Sequence, residues 1–405
     1  MERFFRDSRT IQRYRSNPLG PDIERLADCL YEQGYCRDQA LRHLLTVEEF
    51  GRWLQRWRIP LHDVTFAHAR KYVRLRRRRK GFGALLALKR LLEMLAQEGR
   101  ISPMDAPKSQ AELVVQKFGI FLSEERALTR RTINNRKTVV TAFLTQRFSK
   151  RSFQFSNIKA EDLIAFVQKE AVRRRNSIKT VETALRSFMR YLLFTGFVNQ
   201  DLSIATPSAL NRRFTGIPRH LTADQVSRVL ASCNRQTRTG RRDYAILLLL
   251  SRLGLRAGEV EALTLDDIDW TTGTFTVHGK GGKVRPMPLL HDVGKAISVY
   301  LRKDRLSSLD RRLFQRIGAP RHGLGRTVVG SVVRFALERS GVQSTSRGSH
   351  QFRHTIGNQM LAKGASLAEI GEVLRHESPD TTFIYAKVDL GALHPLARHW
   401  PGGAR

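Results

Sequence analysis

The sequence predicts an α-rich, multidomain protein that carries one small β-hairpin sheet in its C-terminal half. Its 405 residues suffice for two or three domains, each with its own core. Apolar residues recur at helical spacing through most of 21–200, whereas two short stretches beyond residue 270 alternate as strands do. Hydrophobic residues make up 41% of the chain, which is typical of a globular protein and argues against a disordered one.

The net charge points to a polyanionic partner. Seventy-one Lys and Arg residues against 37 Asp and Glu residues give a formal charge of +34. Such a chain repels itself unless a polyanion neutralises it, and nucleic acid is the first candidate. An acidic membrane surface is the second, but the sequence has no lipidation signal, and the leucine run at 247–250 is too short to span a bilayer. We therefore expect nucleic-acid binding that weakens steeply with salt.

Three cysteines, Cys29, Cys36 and Cys233, form no Cys-x-x-Cys pair. This pattern excludes a disulfide framework, argues against a structural zinc site and fits a reducing cytoplasm. Residues 1–20 are rich in arginine but lack the apolar stretch of a secretory signal. We interpret them as a basic arm that contacts DNA, with a transit peptide as the alternative.

Two helical modules are predicted next, at 21–105 and 110–203. The stretch 88–101 aligns without gaps on 185–198, with apolar positions matching and a glycine at the same place. The residues just before a predicted helix also correspond, since 63–65 resembles 157–159. The pattern predicts an internal duplication, although any two amphipathic helices that end in glycine look alike.

Residues 204–219 have the composition of a linker, with Pro207, Gly216 and Pro218 among polar residues. A capping box from Thr222 to Gln225 then opens a mixed domain at 220–405. Its predicted hairpin has strands at 274–277 and 284–287. Its predicted helices lie at 242–253, 257–263, 293–303, 326–340, 350–363 and 367–375, and a last short helix carries Tyr385.

The stretch 350–385 gathers side chains that could converge on one phosphate. Arg353 can make two parallel hydrogen bonds to phosphate oxygens, and His350 can exchange a proton near neutral pH. His376 can donate to a phosphoryl oxygen. The Tyr385 hydroxyl can act as a nucleophile once cations stabilise its anion. Each residue alone is more often packed or solvated, but the combination is rarely accidental.

Two further segments complete this candidate site. Arg256 follows a glycine between two helices, and Glu259 could orient it through a salt bridge. Lys280 lies at the glycine-flanked tip of the hairpin, where it could protonate a leaving oxygen. The alternatives are a solvated arginine and an ordinary basic turn.

Five segments in this order resemble the tyrosine recombinase (phage integrase) family, over about 110–395: Gly-Leu-Arg256-Ala-Gly-Glu, Gly-Lys280-Gly-Gly-Lys, His350-Gln-Phe-Arg353-His354, Leu-Arg375-His376 and Thr-Thr-Phe-Ile-Tyr385. The resemblance implies a SAM-like helical core-binding domain at 110–203 and a mixed α+β, mainly helical catalytic domain at 220–405. The module at 21–105 would be an added helical domain, as in integrases of mobile elements.

By this resemblance, Tyr385 would attack the scissile phosphate, form a 3′-phosphotyrosyl bond and free a 5′-hydroxyl. Arg256 and Arg353 would bracket the non-bridging oxygens and stabilise the pentacoordinate transition state. Lys280 would protonate the leaving oxygen, and His350 would act as general base toward Tyr385.

The resemblance further implies that His376 hydrogen-bonds the phosphate and that no metal, cofactor or ATP is needed. The partner would be double-stranded DNA, bound by a homo-tetramer on paired sites, with partner recombinases or accessory proteins as further candidates. The expected location is the bacterial cytoplasm, in association with the nucleoid.

Two positions depart from the family pattern. Arg375 stands where the family usually has glycine, and Phe352 replaces the usual leucine. Neither change removes a catalytic group, so we expect an active enzyme. The alternatives are a monomeric type IB topoisomerase-like nicking-closing enzyme and a non-catalytic DNA-binding regulator.

Overall fold

The computed structural model describes residues 1–75, 83–101, 110–148, 154–173, 178–207, 220–279, 283–307, 310–344 and 346–388. These residues are mainly helical and include one three-stranded antiparallel sheet, which confirms the predicted class. The chain divides into two compact units: Met1–Arg58, Ala69–Leu91 and Arg213–Arg405 form one, and Ile59–His68 and Leu92–Arg212 form the other. The domain boundaries at 21–105, 110–203 and 220–405 stay a prediction.

The first hundred residues carry five helices within the described ranges: α1 (Ser8–Arg15), α2 (Gly20–Glu32), α3 (Arg37–Arg56), α4 (Phe66–Leu75) and α5 (Ala84–Gln97). Residues 1–20 contain α1, and their role as a basic arm that contacts DNA stays a prediction. The Asp7 side chain caps α1 by accepting from the backbone N–H groups of Arg9 and Thr10. Phe4 and Tyr14 are buried, so apolar packing folds this basic segment into the unit.

The second unit contains four further helices: α6 (Gln110–Glu124), α7 (Arg130–Phe148), α8 (Ala160–Arg173) and α9 (Ile178–Phe194). Their apolar faces meet in one core, in which Phe143 contacts Phe166 edge to face at 5.4 Å between ring centroids. The core also contains Phe118 and Phe188, both fully buried. The helical module predicted around 110–203 is therefore helical, as expected.

The two stretches that align in sequence have the same local structures. A short 3₁₀ turn at Leu61–Asp63 precedes α4, and another at Phe155–Asn157 precedes α8. After α5 and α9 the chain turns through Gly99 (φ 71°) and Gly196 (φ 72°), in the left-handed region that favours glycine. Equal local order is what a duplication leads one to expect, and the duplication itself stays a prediction.

The region from 220 onward continues the numbering. Its elements are α10 (Ala223–Ala231), α11 (Arg238–Leu253), α12 (Ala257–Ala262), β1 (Ile268–Asp269), β2 (Thr274–His278), β3 (Val284–Pro288), α13 (His291–Lys303), α14 (Arg326–Arg339), α15 (His350–Ala362), α16 (Leu367–Val373) and α17 (Pro379–Thr382). The predicted capping box is present, because Thr222 and Gln225 exchange side-chain and backbone hydrogen bonds at the start of α10.

Helix α11 is the centre of this region. Residues 245–250 are all buried, because α13, α14 and α15 surround the helix. Each buried leucine contributes about 1.5–3 kcal/mol relative to an exposed one. The helix ends at Gly254 (φ 60°), as predicted, and α12 follows after a short turn. Among the described residues, no helix is both long and apolar enough to cross a membrane.

The predicted hairpin is formed by β2 and β3. Phe275 pairs with Met287 and His278 with Val284, and β1 adds a third antiparallel strand that the sequence did not predict. Near the tip, the Gly279 N–H donates to the Lys283 carbonyl (2.7 Å). Lys280, the predicted acid, lies outside the described residues.

The predicted final helix on Tyr385 is wrong. Tyr385 lies in a turn between α17 and a 3₁₀ segment at Ala386–Val388. Its backbone N–H donates to the carbonyl of Thr382 (2.9 Å), three residues back, so the chain tightens instead of continuing α17.

Candidate active site

Arg256 sits at the turn between α11 and α12, as the Gly-Leu-Arg-Ala-Gly-Glu motif predicts. Its backbone N–H donates to Glu259 Oε2 (2.9 Å) and its Nη1 to Glu259 Oε1 (2.6 Å). Burial alone would raise the pKa of Glu259. The hydrogen bond from the Arg256 backbone and the charges of Arg375 and Arg256 outweigh burial and lower that pKa. Glu259 is therefore an ionised clamp on Arg256, which keeps 30% of its side chain exposed.

Arg353 projects from the first turn of α15 and is only 3% exposed. Its Nη1 donates to the carbonyl of Gly254 (2.8 Å), whereas its Nη2 is buried and has no hydrogen-bond partner among the described residues. Burial, followed by the charges of Arg256 and Arg375, lowers the pKa of Arg353 to about 9. A buried cation with an unused donor is unfavourable, so this position is suited to receive an anion.

Arg375, the residue that replaces the usual glycine, is also part of this cluster. Its backbone has φ 56°, which costs a side-chain-bearing residue about 1–2 kcal/mol. Its side chain is buried and its Nη2 donates to Glu259 Oε2 (3.2 Å). Its own carbonyl accepts from Arg256 Nη2 (3.1 Å). Two arginines, Arg256 and Arg375, therefore share the carboxylate of Glu259.

His350 begins α15, three residues before Arg353. Burial lowers the pKa of His350, and the charges of Arg353, Arg256 and Arg326 lower it further. The Arg326 guanidinium lies at the start of α14, near Gly258 of α12. The imidazole is therefore held neutral, with a lone pair that can accept a proton once an anion offsets the charge of these arginines.

Tyr385 is fully buried. Its ring packs with Ile370 and Leu374 of the C-terminal helices. Gly357 of α15 lies against the ring so closely that a Cβ there would be 2.4 Å from Tyr385 Cζ. The predicted nucleophile is thus held in an apolar seat against α15.

The ring that contacts the Tyr385 hydroxyl is His354, whose Nδ1 lies 3.1 Å from Oη. Burial raises the pKa of Tyr385 to about 12, and burial together with neighbouring positive charge lowers the pKa of His354 to about 4. Both shifts oppose transfer of the proton from Tyr385 to His354. In this arrangement the Tyr385 hydroxyl stays protonated and is not yet nucleophilic.

His376 follows Arg375 and lies beside Tyr385. Its Nδ1 is 2.7 Å from Thr382 Oγ1, and its ring is nearly parallel to that of Tyr385, with centroids 6.4 Å apart. Burial and then the charges of Arg353 and Arg256 lower the pKa of His376 to about 3. A neutral ring with Nδ1 engaged leaves Nε2 as the atom that can face a phosphate.

The hairpin also lines the candidate site. A cleft beside Arg256 is lined by Lys283 and Arg285 of the hairpin and by Arg375 and Glu377. The flanks of the tip that carries Lys280 are therefore next to the arginine cluster. Among the described residues, no group of three or more His, Cys, Asp or Glu side chains could hold a metal ion.

The structure thus brings five of the six predicted residues into one region: Arg256, His350, Arg353, His376 and Tyr385. His354 was quoted in the motif without a role, although its position one turn after His350 puts both rings on one face of α15. The carbonyl of Gly254, which accepts from Arg353, could not be found from side-chain patterns.

Sequence comparisons agree with this geometry. The sequence model of the phage integrase family matches residues 219–390. A Sinorhizobium fredii protein described as an integrase/recombinase, y4rA, is 41% identical over 410 residues, with 100% of both chains covered. Tyrosine recombinase XerD of Listeria monocytogenes is 28% identical over 284 residues, which is 68% of this chain and 94% of XerD.

A solved structure has the same fold. The XerH site-specific recombinase, bound to its palindromic difH substrate, superposes with a TM-score of 0.56 and 19% sequence identity. The match covers 76% of this chain and 88% of the XerH chain. At this identity the likeness establishes the fold alone.

Proposed function

We infer that this chain, which belongs to the phage integrase family and is a tyrosine-type site-specific DNA recombinase, cleaves and rejoins double-stranded DNA through a 3′-phosphotyrosyl bond at Tyr385. The observation that carries this proposal is the buried guanidinium of Arg353, whose Nη2 has no partner among the described residues. Arg256 lies close enough to lower the pKa of Arg353. A phosphodiester between these two arginines would satisfy the unused donor and offset both charges.

The reaction follows from this placement of charge. Tyr385 Oη attacks phosphorus, a new O–P bond forms, and the bond to the 5′-oxygen breaks. The leaving oxygen takes a proton, which we assign to Lys280. Rejoining reverses these steps, with a 5′-hydroxyl as the attacking group, so the energy of the bond is kept and no nucleotide is consumed.

We assign the proton transfer from Tyr385 to His350 rather than to His354. His354 contacts the hydroxyl, but its pKa of about 4 makes it a very weak base. His350 lies one turn away beside the phosphate site, and its proton affinity would rise when a bound phosphate offsets Arg353 and Arg256. Tyr385 would then have to leave its apolar seat before it reacts.

We also propose that the biological role is integration or excision of a mobile element by a homo-tetramer on paired sites. The resemblance to integrases of such elements and the net charge of +34 support DNA as the extended partner. The predicted module at 110–203 is strongly basic, with Arg130, Arg131 and Arg136 in α7.

Covalent trapping tests this function. Purified protein without metal is mixed with DNA that spans the ends of the element encoding it, nicked near the suspected cleavage point. We expect a protein–DNA adduct on a denaturing gel that is lost in Tyr385→Phe while DNA binding is kept. The matched control is Tyr31→Phe, at an exposed tyrosine far from Tyr385 in the sequence, and this variant should keep the adduct.

Two outcomes would change this assignment. An adduct that persists in Tyr385→Phe would move the nucleophile elsewhere. Relaxation of supercoiled plasmid by a monomer, with no requirement for paired sites, would favour a type IB topoisomerase-like enzyme over a recombinase.

A further inference from the structure

Arg375 has an unfavourable backbone that its side chain must offset. Its φ of 56° lies in the left-handed region, which glycine adopts freely and other residues adopt with strain. The side chain nevertheless folds inward, with the residue only 8% exposed. A strained and buried arginine persists only when its contacts hold it there.

The contacts of the Arg375 guanidinium lie on three neighbouring segments. Nη1 donates to the carbonyl of Val373 (3.1 Å) and contacts the Met287 sulfur of β3 (2.8 Å). Nη2 donates to Glu259 Oε2 on α12 (3.2 Å) and lies 3.5 Å from the carbonyl of Gly254. The turn before His376 is therefore tied to the hairpin and to the α11–α12 turn.

Two of these acceptors also hold the phosphate-binding arginines of the proposed site. Glu259 accepts from Arg256, and the Gly254 carbonyl accepts from Arg353. In addition, the backbone carbonyl of Arg375 accepts from Arg256 Nη2 (3.1 Å). Arg375 thus touches the atoms that orient both arginines.

The charges point the same way. Arg256, Arg353 and Arg375 carry three positive charges against one negative charge on Glu259, a net charge of +2. With glycine at 375, Glu259 would face Arg256 without this second cation, and the cluster would have a net charge of +1. The field that favours a phosphate between Arg256 and Arg353 would then be weaker.

We propose that Arg375 is a positioning residue for the recombination reaction: it shares Glu259 with Arg256 and the Gly254 carbonyl with Arg353, so that both arginines stay aimed at the phosphate and the charge of Glu259 is balanced. The proposal rests on the function inferred above. On this proposal Arg375 acts through Glu259 and the Gly254 carbonyl rather than through a contact with the DNA.

A double-mutant cycle tests this. Single-turnover cleavage of saturating nicked DNA is measured for the wild type, Arg375→Gly, Glu259→Gln and the double variant. We expect Arg375→Gly to slow cleavage about 10- to 100-fold, by analogy with the loss when a residue that orients a metal ligand is removed. In the Glu259→Gln background the same change should cost less than about threefold, because the charge that Arg375 balances is gone.

The matched control is Arg58→Gly. Arg58 also has a left-handed backbone (φ 51°), but it is exposed and lies outside the site. The substitution therefore removes the same charge and the same kind of backbone strain as Arg375→Gly. It should cleave at the wild-type rate. Arg375→Lys, which keeps the positive charge but lacks the planar guanidinium and its paired donors, should recover part of the rate.

The outcomes separate the explanations. Wild-type cleavage by Arg375→Gly overturns the proposal. An equal loss in both Glu259 backgrounds overturns it as well, because that result indicates a direct phosphate contact or a merely structural turn. Failure of the wild type to form an adduct would contradict the proposed function instead, so the two failures are distinguishable. DNA binding, measured by fluorescence anisotropy, should be unchanged in every variant that folds.

Discussion

The arginine side and the tyrosine side of the candidate site are built in opposite ways. Arg256 and Arg353 come from the α11–α12 turn and from the start of α15, and buried acceptors fix both. Tyr385 follows a helix of only four residues, and its hydroxyl contacts His354 rather than the arginines. On the proposed function, the arginine side is preorganised for a phosphate, whereas the tyrosine hydroxyl still faces His354.

This difference indicates which side of the site must rearrange before the reaction. Transition-state charge is stabilised best by groups that need not move at the moment of reaction. A nucleophile that is buried and protonated at rest avoids reaction with the wrong phosphate. We therefore expect changes on the arginine side to affect the rate directly, and changes on the tyrosine side to affect the exposure of Tyr385.

The largest effect should come from Arg353→Ala. Removal of a preorganised donor to a developing oxyanion typically lowers a rate about 100- to 1,000-fold, and we expect a loss of that size in single-turnover cleavage. The melting temperature should change little, because removal of a buried and partly unpaired cation offsets the cavity that alanine leaves. Arg353→Lys should also lose activity, since lysine cannot make the paired hydrogen bonds.

The control for this prediction is Arg252→Ala. Arg252 is on α11 but pairs with Asp292 at the surface, where 54% of its side chain is exposed. It should cleave within about twofold of the wild type, in line with the small worth of exposed ion pairs. A loss below tenfold in Arg353→Ala would show that the arginine side is not preorganised as described.

A smaller effect is expected from Gly357→Ala. The new Cβ would lie 2.4 Å from Tyr385 Cζ, so the ring must leave its seat. Overpacking of this kind costs about 1–3 kcal/mol of stability. We expect a lower melting temperature and faster nitration of Tyr385 by tetranitromethane, read by mass spectrometry.

Gly330→Ala is the matched control, because a Cβ built at this helical glycine meets no atom within 4 Å outside the adjacent backbone of its own helix. Its melting temperature should be equal or higher, as expected for alanine in a helix. If Tyr385 stayed protected in Gly357→Ala, the storage of the tyrosine against α15 would be contradicted.

The smallest effect should appear as a dependence of stability on pH. The pKa values of His354 and His376 are lowered from 6.5 to about 4 and about 3, chiefly by burial. The unfolded chain therefore binds more protons below pH 6.5. The folded state therefore keeps its full stability above pH 6.5 and loses stability as the pH falls from 6.5 toward 4. We expect the melting temperature to drop by about a few degrees between pH 7.5 and pH 5, above the range in which carboxylates titrate.

The double variant His354→Gln/His376→Gln should reduce this dependence and leave the part that comes from His43 and His350, whose pKa values burial also lowers. The variant His62→Gln, at an exposed histidine, should not change it. An unchanged slope in the double variant would mean that these rings are not held neutral by burial.

The spacing of apolar residues and glycines along the sequence predicted much of the fold. The 3.6-residue period identified α11 and α15, Gly254 marked the end of α11, and the alternation around 279–283 identified the hairpin. These signals depend on neighbours in the chain, so they can be read without a structure. The burial of Phe4 and Tyr14 within residues 1–20 was not predicted, because composition shows the charge of this segment but not its apolar contacts.

The sequence by itself determined the mainly helical class, the small sheet and the set of arginine, histidine and tyrosine side chains. Only the tertiary structure decided which of them meet. It paired Tyr385 with His354 and buried it against Gly357, and it joined Arg375 to Glu259 across 116 positions of the chain. Contacts of this range depend on how α12, α15 and the C-terminal turns pack together, and no local period encodes that packing.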